Sequence, residues 1–135
     1  MKYLIDTHTL LWAITDETQL TQKVFDILSK PEDNEILVST VSFWEIAIKT
    51  SIGKLTLDNF DMNKLIDYCE GLGFSIITLK PDDSLYYAKI PIKTNHKDPF
   101  DRMLIATAIN NGFTLISKDE NMPLYISDGL TFMWK

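Results

Sequence analysis

The segment KYLIDTHTLLWAI, Lys2 to Ile14, carries a short apolar run straight into a carboxylate, then into a second apolar stretch of different period. The first run lacks the polar alternation of a half-exposed strand, so it reads as a strand covered on both faces, as in parallel sheets. From about residue 9 to 14 the pattern turns helical. Asp6 stands at the junction. A carboxylate there can cap the coming helix, a task Thr7 and Thr9 could equally perform, or it can face a ligand at the strand's carboxyl end. Position alone leaves both open.

The same alternation recurs along the chain. EILV (Glu35 to Val38), FSIITL (Phe74 to Leu79) and FTLI (Phe113 to Ile116) read as strands, and a short last strand falls near Thr131 to Trp134. Helical patterns occupy about 21–30, 41–52, 62–71, 82–89 and 100–111. Apolar strands separated by helices predict an α/β sandwich, a parallel sheet with helices on both faces. The 135 residues form a single domain over 1–135, with neither repeat nor long linker.

Composition narrows the function classes. Hydrophobic residues make up 45%, which suits a folded globular core. Cys69 stands alone and pairs with no other cysteine, which favours a reducing compartment. Asp6 interrupts the N-terminal apolar run before it reaches the length of a secretory segment, and no stretch is long enough to span a membrane. A cytoplasmic protein is expected. A net charge of -6 opposes indiscriminate coating of nucleic acid, yet leaves room for a nuclease whose acids are offset by metal ions.

In open parallel sheets, ligands bind beyond the carboxyl ends of the strands. The polar residues to weigh therefore lie just past strands or in first helical turns. Glu45, in STVSFWEIAIKTSIGKL, has strong structural roles available: Ser42 and Glu45 have capping-box spacing, and Glu45 and Lys49 stand at i, i+4. Trp44, Ile46, Ala47 and Ile48 make that helix apolar over most of its circumference, which predicts burial and a need for a partner at Glu45. In HKDPFDRMLIATAINNG, Asp98 reads as an N-cap, Pro99 as the first helical residue and Gly112 as the stop. Asp101 then falls in the first turn with less structural reason to be there. Asp119 follows FTLI in SKDEN, where a turn would suit it too, as it would Glu120.

Jointly, Asp6, Glu45, Asp101 and Asp119 fall on one side of the expected sheet. Two carboxylates about 4 Å apart repel by roughly 4 kcal/mol at an effective dielectric of about 20, so such a cluster must protonate, disperse or hold cations. Oxygen ligands without cysteine or paired histidine point to Mg²⁺ or Mn²⁺. Such ions activate water and stabilise the leaving oxygen in phosphodiester cleavage.

With those residues in place, the chain closely resembles the PIN domain and, within it, the VapC-type toxins of bacterial toxin–antitoxin pairs. The matching stretches are YLIDTHTLLWAI, ILVSTVSFWEIAIKTSIGKL, GFSIITL, HKDPFDRMLIATA and GFTLISKDENMPLY, in the family's order and covering nearly the whole chain. The resemblance implies a compact α/β/α sandwich of three layers around a mostly parallel sheet of about five strands. It implies a Mg²⁺- or Mn²⁺-dependent endoribonuclease restrained by a cognate antitoxin, and a homodimer. Carried over by motif, the acid of the first strand is Asp6, that of the WEI helix Glu45, that heading the DRMLIA helix Asp101, and that after the fourth strand Asp119. Asp6, Asp101 and Asp119 would hold an ion, Glu45 would complete the site or orient water, and the activated water would attack phosphorus in line. Asp98 is a secondary candidate, as are Thr7 and Ser117, which could hydrogen-bond the acids.

His8 and His96 read as structural or solvent-exposed, since a carboxylate–metal scheme does not require them. Lys89, Lys93, His96, Lys97 and Arg102 cluster in sequence around the approach to Asp101 and offer a phosphate track, with Tyr86, Tyr87 or Phe100 available for base stacking. Apolar helical surface around LLWAI, VFDIL and FWEIAI would serve a protein partner as well as the core. Two rival functions compete. A phosphatase or receiver with Asp6 as covalent nucleophile would want a second acid close by, where this chain has His8. The other is a binding module that holds RNA or protein without cutting, which the four retained acids oppose.

Overall fold

The computed structural model describes residues 1–58, 60–93 and 95–135. Five strands form one parallel sheet in the order β3-β2-β1-β4-β5: β1 (Lys2–Ile5), β2 (Glu35–Ser39), β3 (Ser75–Ile77), β4 (Thr114–Ile116) and β5 (Thr131–Met133). The helices are α1 (Thr7–Thr15), α2 (Gln22–Leu28), α3 (Thr40–Ser51), α4 (Leu65–Gly71), α5 (Pro81–Tyr86) and α6 (Pro99–Asn111). No helix among the described residues is long and apolar enough to cross a membrane.

The pleat explains the three layers. Leu4 pairs in register with Leu37 and Leu115, and all three enter a core shared with α6 residues such as Leu104 and Ile105. Ile5 pairs with Val38 and Ile116, and these belong to a second core with Leu10, Val24, Ile46 and Cys69. Successive residues of one strand thus feed opposite faces, as the uninterrupted apolar runs required. The central strand β1 has β2 on one side and β4 on the other. Connections diverge from it in opposite directions, which leaves a crevice beyond the carboxyl ends of β1 and β4.

Local boundaries depart from the sequence expectation at several points. The third strand covers Ser75–Ile77 rather than Phe74 to Leu79, and the segments expected at 62–71 and 82–89 each combine an α-helix with a 3₁₀ turn, Met62–Lys64 and Tyr87–Lys89. A 3₁₀ run, Met122–Asp128, fills a stretch given no element from sequence. The capping box for which Ser42 and Glu45 have the spacing does not form. β2 continues to Ser39, whose hydroxyl accepts from the Val41 N–H, so Ser42 lies within the first turn. Nor is α3 buried all round: Trp44 is 62% exposed and Ala47 faces solvent. By contrast, α6 has Asp98 as N-cap, Pro99 in its first turn and Gly112 closing it at φ 71°.

Candidate active site

Asp6 leaves β1 at the crevice. Its N–H donates to the Ile116 carbonyl (3.1 Å), which fixes it beside the end of β4. One carboxylate oxygen caps α1 by accepting the Thr9 N–H (2.8 Å). The choice between cap and site that the sequence left open is not exclusive: one oxygen caps while the group lines the crevice. Asp6 is 6% exposed, and burial pushes its carboxyl up, although hydrogen bonds from Ser117 and Thr9 and the charge of His8 pull the other way. The buried Ser117 hydroxyl also accepts from the Asp119 N–H (3.1 Å), so it stands between the first acid and the last.

Asp101 heads α6 and Asp119 follows β4. Together with Asp6 they line one cavity of about 350 Å³, with His8, Trp12, Lys118 and Glu120 around the rim. Asp101 carries the clearest electrostatic mark of the cluster. Desolvation, then the charges of Asp98, Asp6, Asp119 and Glu45, push its carboxyl from 3.8 to about 8. Asp119 is oriented from its own turn, since its Oδ1 accepts from the Asn121 backbone N–H (2.8 Å) and side-chain amide (2.9 Å). Asp98 serves as the cap, accepting from the N–H groups of Phe100 (2.8 Å) and Asp101 (3.2 Å). Its carboxylate enters the site as a neighbouring charge on Asp101.

Glu45 stands behind these three acids. It is 2% exposed, pairs with Lys49 one helical turn on, and accepts from the Thr7 hydroxyl (2.6 Å). Thr7 has one proton, already directed at the carboxylate, so the Ser42 hydroxyl 3.0 Å away donates to Thr7. Glu45 hydrogen-bonding raises Lys49 above its ordinary value. Of Thr7 and Ser117, proposed from sequence to hydrogen-bond the acids, Thr7 donates to the Glu45 carboxylate and Ser117 accepts from the Asp119 backbone N–H.

His96, placed by sequence near the approach to Asp101 and read as structural or solvent-exposed, is buried against the acids themselves. Its Nε2 lies 3.4 Å from Asp101 Oδ2 and 3.5 Å from Asp119 Oδ2. Ligand atoms of His96, Asp101 and Asp119 lie within 4.8 Å of one another, close enough to surround one cation. Its sequence position put it near Asp101 but carried no signal of its contact with Asp119. His8 is exposed and packs on Trp12, their ring centroids 5.6 Å apart.

The lysine and arginine track fares unevenly. Lys89 and Lys97 are exposed, the former over the Tyr86 ring, whereas Lys93 pairs with Asp128 (2.9 Å). Arg102 is only 3% exposed. Its guanidinium donates to the carbonyls of Pro91 (3.1 Å) and Ile90 (3.0 Å) and to the Tyr125 hydroxyl (3.3 Å), so it is not presented to a phosphate. Tyr86, Tyr87 and Phe100 pack against the core. The cation at the cavity is instead Lys118, over the Trp12 ring and missed from sequence, where it was one exposed lysine among several.

The donor set fits a hard divalent cation. Carboxylate oxygens predominate, and burial followed by the charges of its acidic neighbours opposes ionisation of Asp101, which a cation would offset.

Comparison with known proteins places the fold. VapBC2 from Rickettsia felis, solved with a DNA fragment of its promoter, superposes with a TM-score of 0.69 at 18% identity, covering 100% of both chains. VapBC-1 from nontypeable Haemophilus influenzae gives 0.62 at 17% identity over 98% of this chain and 97% of that one. DNA-bound VapBC from Salmonella typhimurium gives 0.63 at 13%, again over 98% and 97%. No curated protein sequence matches significantly. At these identities the structures establish a shared fold. The sequence profile of the PIN domain matches residues 3–125, nearly the full length, and the chain belongs to the PIN domain family.

Proposed function

We propose that the protein is a Mg²⁺- or Mn²⁺-dependent endoribonuclease and the toxin of a toxin–antitoxin pair. The observation that carries the chemistry is the convergence of Asp6, Asp101 and Asp119 in one crevice, with Asp101 raised to about 8 by burial and then by its acidic neighbours. Asp6, Asp101 and Asp119 would hold the ion. When bound, it supplies Lewis-acid stabilisation of charge on phosphoryl oxygens and makes water a stronger nucleophile. Glu45, already ion-paired and hydrogen-bonded, holds the Thr7 end of α1 in place and adds negative charge behind the ligands. The Thr9 N–H orients the Asp6 carboxylate at the crevice.

The substrate side of the proposal follows the cations. Lys118 borders the acidic cavity and a second cleft, lined by Lys23, Trp134 and Lys135 among others, that shares Lys118, Asp119 and Glu120 with it. A strand crossing from one to the other meets ammonium groups for its phosphates and the paired Trp12 and Trp134 rings (5.8 Å apart) at the edge. On another face, Trp44, Leu79, Leu85, Phe100 and Met103 line an apolar groove of about 500 Å³. We assign this groove to protein contact, with the antitoxin as occupant, supported by the VapBC complexes among the similar structures. Homodimerisation is part of the same proposal and is read by sedimentation.

The deciding experiment is incubation of a mixed tRNA and structured-RNA pool with purified protein in Mn²⁺, Mg²⁺ or EDTA, beside identically purified Asp6→Asn. Metal-dependent fragments from the wild type alone support the nuclease. Equal fragments from both expose a contaminant, and no fragments from a protein that binds Mn²⁺ favour a binding module.

A further inference from the structure

We infer that Arg102, Tyr125 and His96 form a directed chain of hydrogen-bond donors that locks the His96 proton on Nε2, making His96 the strut between Asp101 and Asp119 rather than a metal ligand. The chain is fixed at its far end. Arg102 can only donate, and its Nη1 lies 3.3 Å from the Tyr125 oxygen. Tyr125 is fully buried, and its hydroxyl proton has one acceptor among the described residues, His96 Nδ1 at 2.6 Å. If Nδ1 carried a proton, the phenol oxygen would receive two donors and its own proton would have no partner. A buried hydroxyl proton left without an acceptor is the costly case for a polar group. Nδ1 is therefore the acceptor, and the neutral ring carries its proton on Nε2.

The consequence for the acids is geometric. Nε2 hydrogen-bonds Asp101 Oδ2 (3.4 Å) and lies 3.5 Å from Asp119 Oδ2, and the two acids belong to separate elements, the start of α6 and the loop after β4. One shared donor offsets part of their repulsion and keeps them converging. Proximity alone would nominate His96 as a third ligand with these acids. A ligating histidine, however, donates its second ring N–H to an acceptor, whereas here that position faces a hydroxyl already oriented by a guanidinium. The buried arginine thereby acquires a purpose: it sets the direction of the chain. As a positioning residue, His96 leaves the cation to oxygen ligands, consistent with Mg²⁺ or Mn²⁺.

The functional consequence rests on the metal-dependent reading above, but the relay itself does not. Long-range proton–nitrogen correlation spectra of nitrogen-labelled, full-length protein read the tautomer directly, and His96→Gln assigns the signals of the two histidines. The expected spectrum has a protonated Nε2 and a bare Nδ1, unchanged on adding Mg²⁺. Tyr125→Phe should populate the Nδ1–H form. An Nδ1–H tautomer in the wild type, or loss of the Nε2 proton with Mg²⁺, overturns the inference while leaving the nuclease intact. Mn²⁺ affinity supplies the second readout: His96→Gln, which keeps a donor, should bind within about threefold of wild type, and His96→Leu should bind roughly 10- to 100-fold more weakly. Equal affinity in His96→Leu overturns the strut. The expected tautomer in a protein that binds no Mn²⁺ supports the relay and overturns the metal reading.

Discussion

Replacing Asp101 with asparagine should stabilise the metal-free protein at alkaline pH while abolishing its proposed activity. The carboxyl is raised from 3.8 to about 8, so the folded state holds a proton that the unfolded chain has already released. A folded value above the unfolded one gives a contribution fully present below 3.8 and progressively lost as pH rises to about 8. Roughly four units at about 1.36 kcal/mol each set an upper bound of about 6 kcal/mol. The side chain is 22% exposed, and water and relaxation screen the cluster, which reduces the expected figure to about 2–3 kcal/mol. For a domain of this size that is roughly 6–10 °C in melting temperature. The assay is thermal unfolding followed by circular dichroism in EDTA, wild type against Asp101→Asn, at several pH values from 4 to about 9. The melting temperature of the variant should gain on the wild type steadily across that window, whereas Mn²⁺ should raise only the wild type. A variant less stable than wild type at the alkaline end, or a difference independent of pH, refutes the reasoning.

Thr7→Val removes the proton donated to buried Glu45 and should destabilise the fold by roughly 1–3 kcal/mol in urea titration, with Thr7→Ser restoring most of it. Lys118→Glu should raise KM for RNA about tenfold with kcat changed by less than about threefold, whereas Lys2→Glu, at the opposite end of the sheet, should change neither. Equal effects from the two charge reversals would remove Lys118 from the substrate path. Gly73→Ala places a Cβ 2.8 Å from Pro31 at a backbone φ of +85°, so an unfolding midpoint shifted by about 1–3 kcal/mol is expected, and an unchanged one would show that the loop relaxes freely.

The carboxylates were legible because each sits where chain pattern changes: Asp6 at the end of an apolar run, Asp101 behind a cap and proline, Asp119 just past the fourth strand. Parallel-sheet topology then brings such positions to one edge. The misplacements have a common cause in non-local contacts. Ser39 and Ser42 are both plausible caps, and the choice depends on how far β2 stays paired with β3, through Ser39 opposite Ile77. Trp44 reads as core by composition, yet it is 62% exposed and packs T-shaped with Phe100. The burial of Arg102 depends on carbonyls presented by the Ile90–Pro91 segment, and that of His96 on a tyrosine 29 residues away. No local pattern encodes such partners.

Arg102 is the only arginine in the chain, and it is enclosed. Every positive side chain presented to solvent is therefore a primary amine or an imidazole, and the guanidinium becomes accessible only when the junction between residues 90–91, α6 and Tyr125 separates. An arginine-selective dicarbonyl reagent would consequently leave the closed molecule untouched and mark each opening event at one site. Its labelling rate, with the reagent in the regime where reclosing is fast, is a clock for excursions of this junction. A bound cation that draws Asp101 and Asp119 together should slow that clock without blocking any reactive group, giving a readout of site assembly that needs no RNA at all.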